Sequence, residues 1–136
     1  MFDQDILDLA ERLGQALSAR ASLVTTAESC TGGMVAAAIT ATAGSSGWFH
    51  GGHVTYDNSV KHAVLGVQAQ TLAEHGAVSE ATVREMAEGA LQRIPGHWSI
   101  AISGIAGPGG GAPGTPVGTV CFGLAHHLGP DVVRTQ

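Results

Sequence analysis

Apolar residues Ile6, Leu9, Ala10, Leu13, Ala16 and Leu17 recur at three- and four-residue steps, with Asp8, Glu11 and Arg12 elsewhere on the turn. That spacing predicts an amphipathic helix from about Asp3 to Arg20. A short apolar run from Ala21 to Val24 opens an expected strand over 21–26. A polar turn follows, and then Met34, Val35, three alanines and Ile39 read as a buried helix. This helix fades into Thr42-Ala-Gly-Ser-Ser-Gly47, a clear loop signal.

Residues 48–56 read as extended, with Gly51-Gly52 as a bend or bulge inside the strand. Val54 and Tyr56 fall on one side of it, because side chains alternate. Asn58 or Ser59 is expected to cap a short helix that ends at Gly66. Lys61 lies near its first turn, so Tyr56 and Lys61 are expected to face one pocket. One more helical turn is expected over 70–75. Ser79 caps a longer helix whose apolar face is Val83, Met86, Ala87, Ala90 and Leu91, and Pro95-Gly96 stops it. Residues 97–103 are nearly continuous in apolar character, as in a strand buried on both faces. A loop over 104–116 holds six glycines and three prolines. Val117 to Ala125 reads as a second buried strand, and Val132-Val133 begins another. Helices alternating with apolar strands predict an α/β fold: a single layered domain over 1–136, with a mostly parallel or mixed sheet flanked by helices.

Composition narrows the function. The formal charge is −5, and the six basic residues form no cluster. A nucleic-acid surface, which needs Lys and Arg against phosphates, is therefore not expected. No apolar segment approaches a membrane span, and Met1-Phe-Asp-Gln-Asp does not begin a secretory signal. Cys30 and Cys121 have neither zinc-type spacing nor a disulfide framework around them, which points to a reduced, cytoplasmic compartment. The seven histidines form no recognisable ligand set, and no metal or other cofactor is expected. Among five arginines stands a single lysine, Lys61. It is either an ordinary surface lysine or one kept because lysine, unlike arginine, can be tuned to lose its proton.

The chemistry gathers at Thr25-Thr-Ala-Glu-Ser-Cys-Thr-Gly-Gly33, a strand-to-helix turn rich in hydroxyls. The free N–H groups of a helix N-terminus favour negative charge there. A nucleophile, an oxyanion hole or a phosphate seat can each be built on such a turn. In the plainer reading, Ser29 or Thr31 simply caps the helix. The 26–33 segment resembles the signature of the CinA C-terminal domain family, whose bacterial members include nicotinamide mononucleotide deamidases. Tyr56-Asp-Asn-Ser-Val-Lys61, Gly76-Ala-Val-Ser-Glu80, Ile102-Ser-Gly-Ile-Ala-Gly-Pro108 and Pro116-Val-Gly-Thr119 match further motifs in the family's order.

The resemblance implies hydrolysis of the carboxamide of a mononucleotide, with release of ammonia and pyridine nucleotide recycling. Such a reaction needs a nucleophile, a base, an oxyanion seat and a proton for the leaving amine. Ser29 is assigned as nucleophile and Lys61 as base, acting directly or through the Tyr56 hydroxyl. The N–H groups of Thr31, Gly32 and Gly33 are candidates for the oxyanion hole. Cys30 rivals Ser29 as nucleophile, or else is a small buried hydrophobe. Glu28 either balances the pyridinium charge or pairs with the helix N-terminus. Ser103, Gly104, Gly107 and Gly109 would bring a hydroxyl and closely approaching backbone N–H groups to the substrate, unless their loop is purely structural. Asn58, beside the lysine, is assigned with them to substrate binding. No Gly-Lys-Ser/Thr follows the loop and it runs toward a strand, so neither a P-loop nor a dinucleotide fingerprint is present.

Family members continue past the last strand into a Gly-Asp-Arg segment and a final helix, whereas this sequence ends at Thr135-Gln136. On the resemblance, either the chain is shortened, or another group such as Arg134 or the glycine loop takes over the phosphate. The resemblance also predicts an apolar sheet face left open, and a homodimer, the family's usual state. Two other readings stand beside the amidase: a catalytically silent nucleotide-binding module, and a competence or damage-response interaction module.

Overall fold

The computed structural model describes residues 1–126 in full and the backbone of 129–135. Helix α1 (Gln4–Ala19) leads into strand β1 (Val24–Glu28) and helix α2 (Met34–Thr40). A single 3₁₀ turn at Ser45–Gly47 precedes β2 (Phe49–Val54). Helices α3 (Asn58–Leu65), α4 (Ala69–His75) and α5 (Glu80–Arg93) follow, and then β3 (Trp98–Gly104), β4 (Val120–His126) and β5 (Gly129–Thr135). The strand order is β2-β1-β3-β4-β5. The first three strands are parallel and the last two pairings antiparallel, so the sheet is mixed.

Local chemistry explains the element boundaries. The 21–26 strand begins later than the apolar run implies, because residues 20–22 finish α1. The Ala21 N–H donates to Ser18 O and the Ser22 N–H to Leu17 O, the paired bonds of a Schellman turn. Ala21 takes the left-handed position there, at φ 49°. In β2, the register slips between Val24 and Thr25 so that His50 is the extra residue: the strand does carry an irregularity, one position before the expected Gly51-Gly52, which pair in register with Thr25 and Thr26. Ser79 caps α5 by accepting from the Thr82 N–H at 3.1 Å. Strand β4 starts at Val120, three residues after the apolar run begins, because 117–119 still belong to the loop. There the Gly118 N–H donates to Ile105 O, and Thr119 Oγ1 donates to Pro116 O.

The core lies between one sheet face and α5. Ala27, Ala101, Cys121 and Ala125 pack there against Val83, Met86, Ala87 and Ala90. Gly89 of α5 sits against the α3 backbone: a Cβ added there would lie 1.9 Å from Leu65 O. The other face carries Val24, Ile100 and Leu124 under α1 and α2, and is only partly covered. A groove of about 640 Å³ runs between α1 and α2, lined by Phe2, Ile6, Leu9, Met34 and Ile100 among others. Here the expectation of a buried α2 fails. Only Ile39 of that helix is buried, and Met34 is exposed. Its all-round apolar sequence lacked a polar face to reveal which side meets solvent.

Candidate functional site

The C-terminal ends of the three parallel strands bring the site together, as open α/β sheets do for their ligands. The Ser29 N–H donates to Ile102 O of β3 at 2.9 Å, and the Thr55 N–H donates to Glu28 O of β1 at 2.8 Å. The 29–33 turn, the 55–61 segment and the end of β3 therefore meet at one edge of the sheet. Gly32 and Gly33 make the reversal possible, at φ 59° and 103°.

The turn settles how α2 is capped. Its N-cap is Gly33, which has no side chain to offer. Glu28 does the work from the preceding strand. Its carboxylate accepts from the Val35 N–H at 2.9 Å, the Ala36 N–H at 3.0 Å and the Thr31 hydroxyl at 2.6 Å. Those are two of the donors that a helix start leaves unpaired, and Glu28 is wholly buried on them. Of the two uses foreseen for this carboxylate, the helix N-terminus is the one its bonds serve. Neither Ser29 nor Thr31 caps the helix, so the plainer reading of the turn does not hold. Ser29 is 7 % exposed and is left with no capping duty. The Gly32 N–H is engaged within the turn, donating to Ser29 O at 3.1 Å; no backbone acceptor takes the Thr31 or Gly33 N–H among the described residues.

Lys61 is the largest fully buried side chain among the described residues, at 1 % exposure. Its Nζ donates to the Tyr56 carbonyl at 2.7 Å. Burial pushes its pKa down from the ordinary lysine value, while the Asp57 carboxylate, and Cys30 when ionised, act in the opposite sense. No carboxylate among the described residues forms a salt bridge with it. Cys30 lies in the same cluster: a Cβ at Gly104 would come within 3.1 Å of its Sγ. Burial also raises the Cys30 pKa, and Glu28 adds to that, against the lowering effect of backbone N–H groups and Lys61. The net upward shift keeps it a thiol at neutral pH, which weakens it as a nucleophile.

The remaining residues assigned from sequence are distributed unevenly. Ser103, at 1 % exposure, and Gly104 lie at the end of β3 beside the turn. The Tyr56 side chain is 71 % exposed, and it is its carbonyl that meets Lys61. Asn58 is the exposed first residue of α3. A Cβ at Gly107 would meet Val117 and one at Gly109 would meet open space, so these two glycines border the loop itself and solvent. The side chain of Arg134, and His127, lie outside the described residues. Sequence reasoning missed Asp57, which caps α3 in place of Asn58 or Ser59 by accepting from the Ser59 N–H at 2.9 Å. Aspartate at that position is itself a strong cap signal, one residue earlier than read.

A family model described as the CinA C-terminal domain matches residues 6–136. The chain belongs to the CinA C-terminal domain family. It is 53 % identical over 136 residues to the nicotinamide-nucleotide amidohydrolase PncC of Escherichia coli K12, covering all of this chain and 82 % of that protein. It resembles the crystal structure of the competence/damage inducible protein CihA from Agrobacterium tumefaciens with a TM-score of 0.93. Identity there is 44 %, over 99 % of this chain and 81 % of the other. A CinA superfamily protein from Klebsiella pneumoniae matches with a TM-score of 0.93 and 46 % identity, over 97 % and 82 % of the two chains. The mixed α/β sheet of this CinA domain is thus shared by solved relatives across nearly its whole length.

Proposed function

We propose that this chain is an amidohydrolase that converts nicotinamide mononucleotide to nicotinate mononucleotide and ammonia. The carrying observation is a lone lysine, buried with no carboxylate partner among the described residues, beside a turn whose serine has no capping role. Full-length identity to a nicotinamide-nucleotide amidohydrolase supplies the substrate class.

Ser29 Oγ attacks the carboxamide carbon, and neutral Lys61 takes the hydroxyl proton. Donation of one N–H to the Tyr56 carbonyl fixes the amine's orientation. Negative charge develops on the carboxamide oxygen, and the Thr31 and Gly33 N–H groups are the donors left to receive it. Each well-placed donor contributes about 3–4 kcal/mol in such sites. Lys61 returns the proton to the nitrogen, the C–N bond breaks and ammonia leaves an acyl-Ser29. Water then attacks the acyl carbon, giving its proton to Lys61; the ester bond breaks and Ser29 regains its hydroxyl. Glu28 acts through the turn, holding it against α2. Ser103 and Gly104 border the pocket, and Gly107 and Gly109 lie farther along the loop that would meet the ribose phosphate.

We also propose a homodimer, supported by the exposed Ile6, Leu9, Met34 and Phe122 on the half-covered face. Two cysteines without zinc-type spacing fit work in the reducing cytoplasm, and the sparse basic residues fit a small-molecule partner and no nucleic acid. No helix among the described residues is long and apolar enough to cross a membrane. The test is ammonia release from the mononucleotide and, in parallel, from nicotinamide riboside. Release from the mononucleotide is the predicted outcome; no release from folded protein with either substrate would overturn the enzyme reading.

A further inference from the structure

We propose that Asp57 is the positioning residue for Lys61, its carboxylate holding the head of α3 so that successive backbone carbonyls grip the lysine at both ends. This rests on the reading of Lys61 as the base, and adds a residue that governs it. The Tyr56 carbonyl, in the peptide that joins Tyr56 to Asp57, takes Nζ at 2.7 Å. The next carbonyl, that of Asp57, takes the Lys61 N–H at 3.0 Å and the Val60 N–H at 3.1 Å. Both carbonyls are aimed by the extended conformation of Asp57, at φ −79° and ψ 149°. The side chain locks that conformation, since it accepts from both the N–H and the hydroxyl of Ser59. One residue therefore sets where the helix starts and where the amine of its fourth residue points.

Asp57 also brings a charge. Its hydrogen bonds from Ser59 hold its pKa below the usual carboxylate range, so it is ionised wherever the enzyme works. It opposes the effect of burial on Lys61, as an ionised Cys30 would from the turn. Other charged groups near α3 are engaged elsewhere. Glu28 is bonded to α2, Glu85 of α5 accepts from the Gln68 N–H, and Arg93 of α5 donates to Gly89 O. His62 Nδ1 meets Val67 O. The Asp57 carboxylate thus keeps the amine from losing its proton too readily, a device that a neutral cap such as asparagine lacks.

Because Lys61 is the only lysine, a protein labelled with ¹³C at lysine Cε reports its titration as one resonance. The variant is Asp57→Ala, which removes both the cap and the charge; Asp57→Asn, which keeps a capping oxygen and removes only the charge, serves should the first not fold. The inference predicts that the resonance titrates at a lower pH in the variant, because the raising influence of the Asp57 carboxylate is gone. It further predicts that the acid limb of kcat/KM moves down with it. An unmoved titration in the folded variant would overturn the inference. A moved titration with an unmoved limb would uphold Asp57's hold on the lysine and count instead against Lys61 as the base.

Discussion

Among the described residues the Nζ of Lys61 meets no carboxylate; it meets the carbonyl of Tyr56, five residues back along its own chain, at 2.7 Å. A carbonyl orients an amine without fixing a positive charge on it as a carboxylate would. Burial lowers the lysine's pKa, and with no carboxylate holding the charge in place a neutral base becomes available closer to physiological pH.

The sign of the pH dependence follows. With Lys61 as the proposed base the neutral amine would be the active form, so kcat/KM should rise with pH along a limb centred below 10.5, the ordinary lysine value. The same shift acts on folding. Between the folded and unfolded values the unfolded chain holds the extra proton, so stability should rise with pH across that window. A pH–rate profile and urea titrations at several pH values check both. An acid limb at or above 10.5 would contradict the first.

Glu28 takes three hydrogen bonds with no exposure. Glu28→Ala should leave two α2 amides and the Thr31 hydroxyl without that acceptor and cost about 2–4 kcal/mol. Activity should fall with it, because the turn that carries Ser29 loses its anchor. Urea denaturation measures the first effect and ammonia release the second.

The closest helix contact supplies a third test. A methyl at Gly89 would collide with Leu65 O, 1.9 Å away, in the backbone of the helix that carries Lys61. Gly89→Ala should destabilise by about 2–3 kcal/mol as α3 is pushed off α5. The thermal midpoint and the turnover should fall together.

Ala21 offers a gain. It holds a left-handed backbone at an exposed Schellman position that glycine adopts freely. Ala21→Gly should stabilise by about 0.5–1 kcal/mol, the relief of strain outweighing the greater freedom of the unfolded chain. Denaturant melts of the two proteins decide it.

Much of this was legible in the chain because the signals were local. The α1 periodicity, the Ser79 cap, the Gly66 stop and the bulge beside Gly51-Gly52 each depend on near neighbours. The family motifs carried the site's location for the same reason. What escaped depends on distant partners. Nothing in Met34-Val-Ala-Ala-Ala-Ile39 says which side meets solvent, since the answer lies in how far α1 and the sheet extend over it. The capping of α2 by Glu28 was ambiguous because a carboxylate in the preceding strand serves a helix only if the turn between them folds back. The left-handed Ala21 was masked by an apolar run that resembled a strand start. The Gly89 contact needed the docking of α3 on α5.

The central claim is that Lys61 works as a neutral base for Ser29, and the most direct test is the rate of ammonia release from nicotinamide mononucleotide by Lys61→Arg, with its fold verified by circular dichroism. Arginine keeps its proton at every working pH, so the account predicts a fall of about a thousandfold or more. Turnover within a few-fold of the unaltered protein would contradict it.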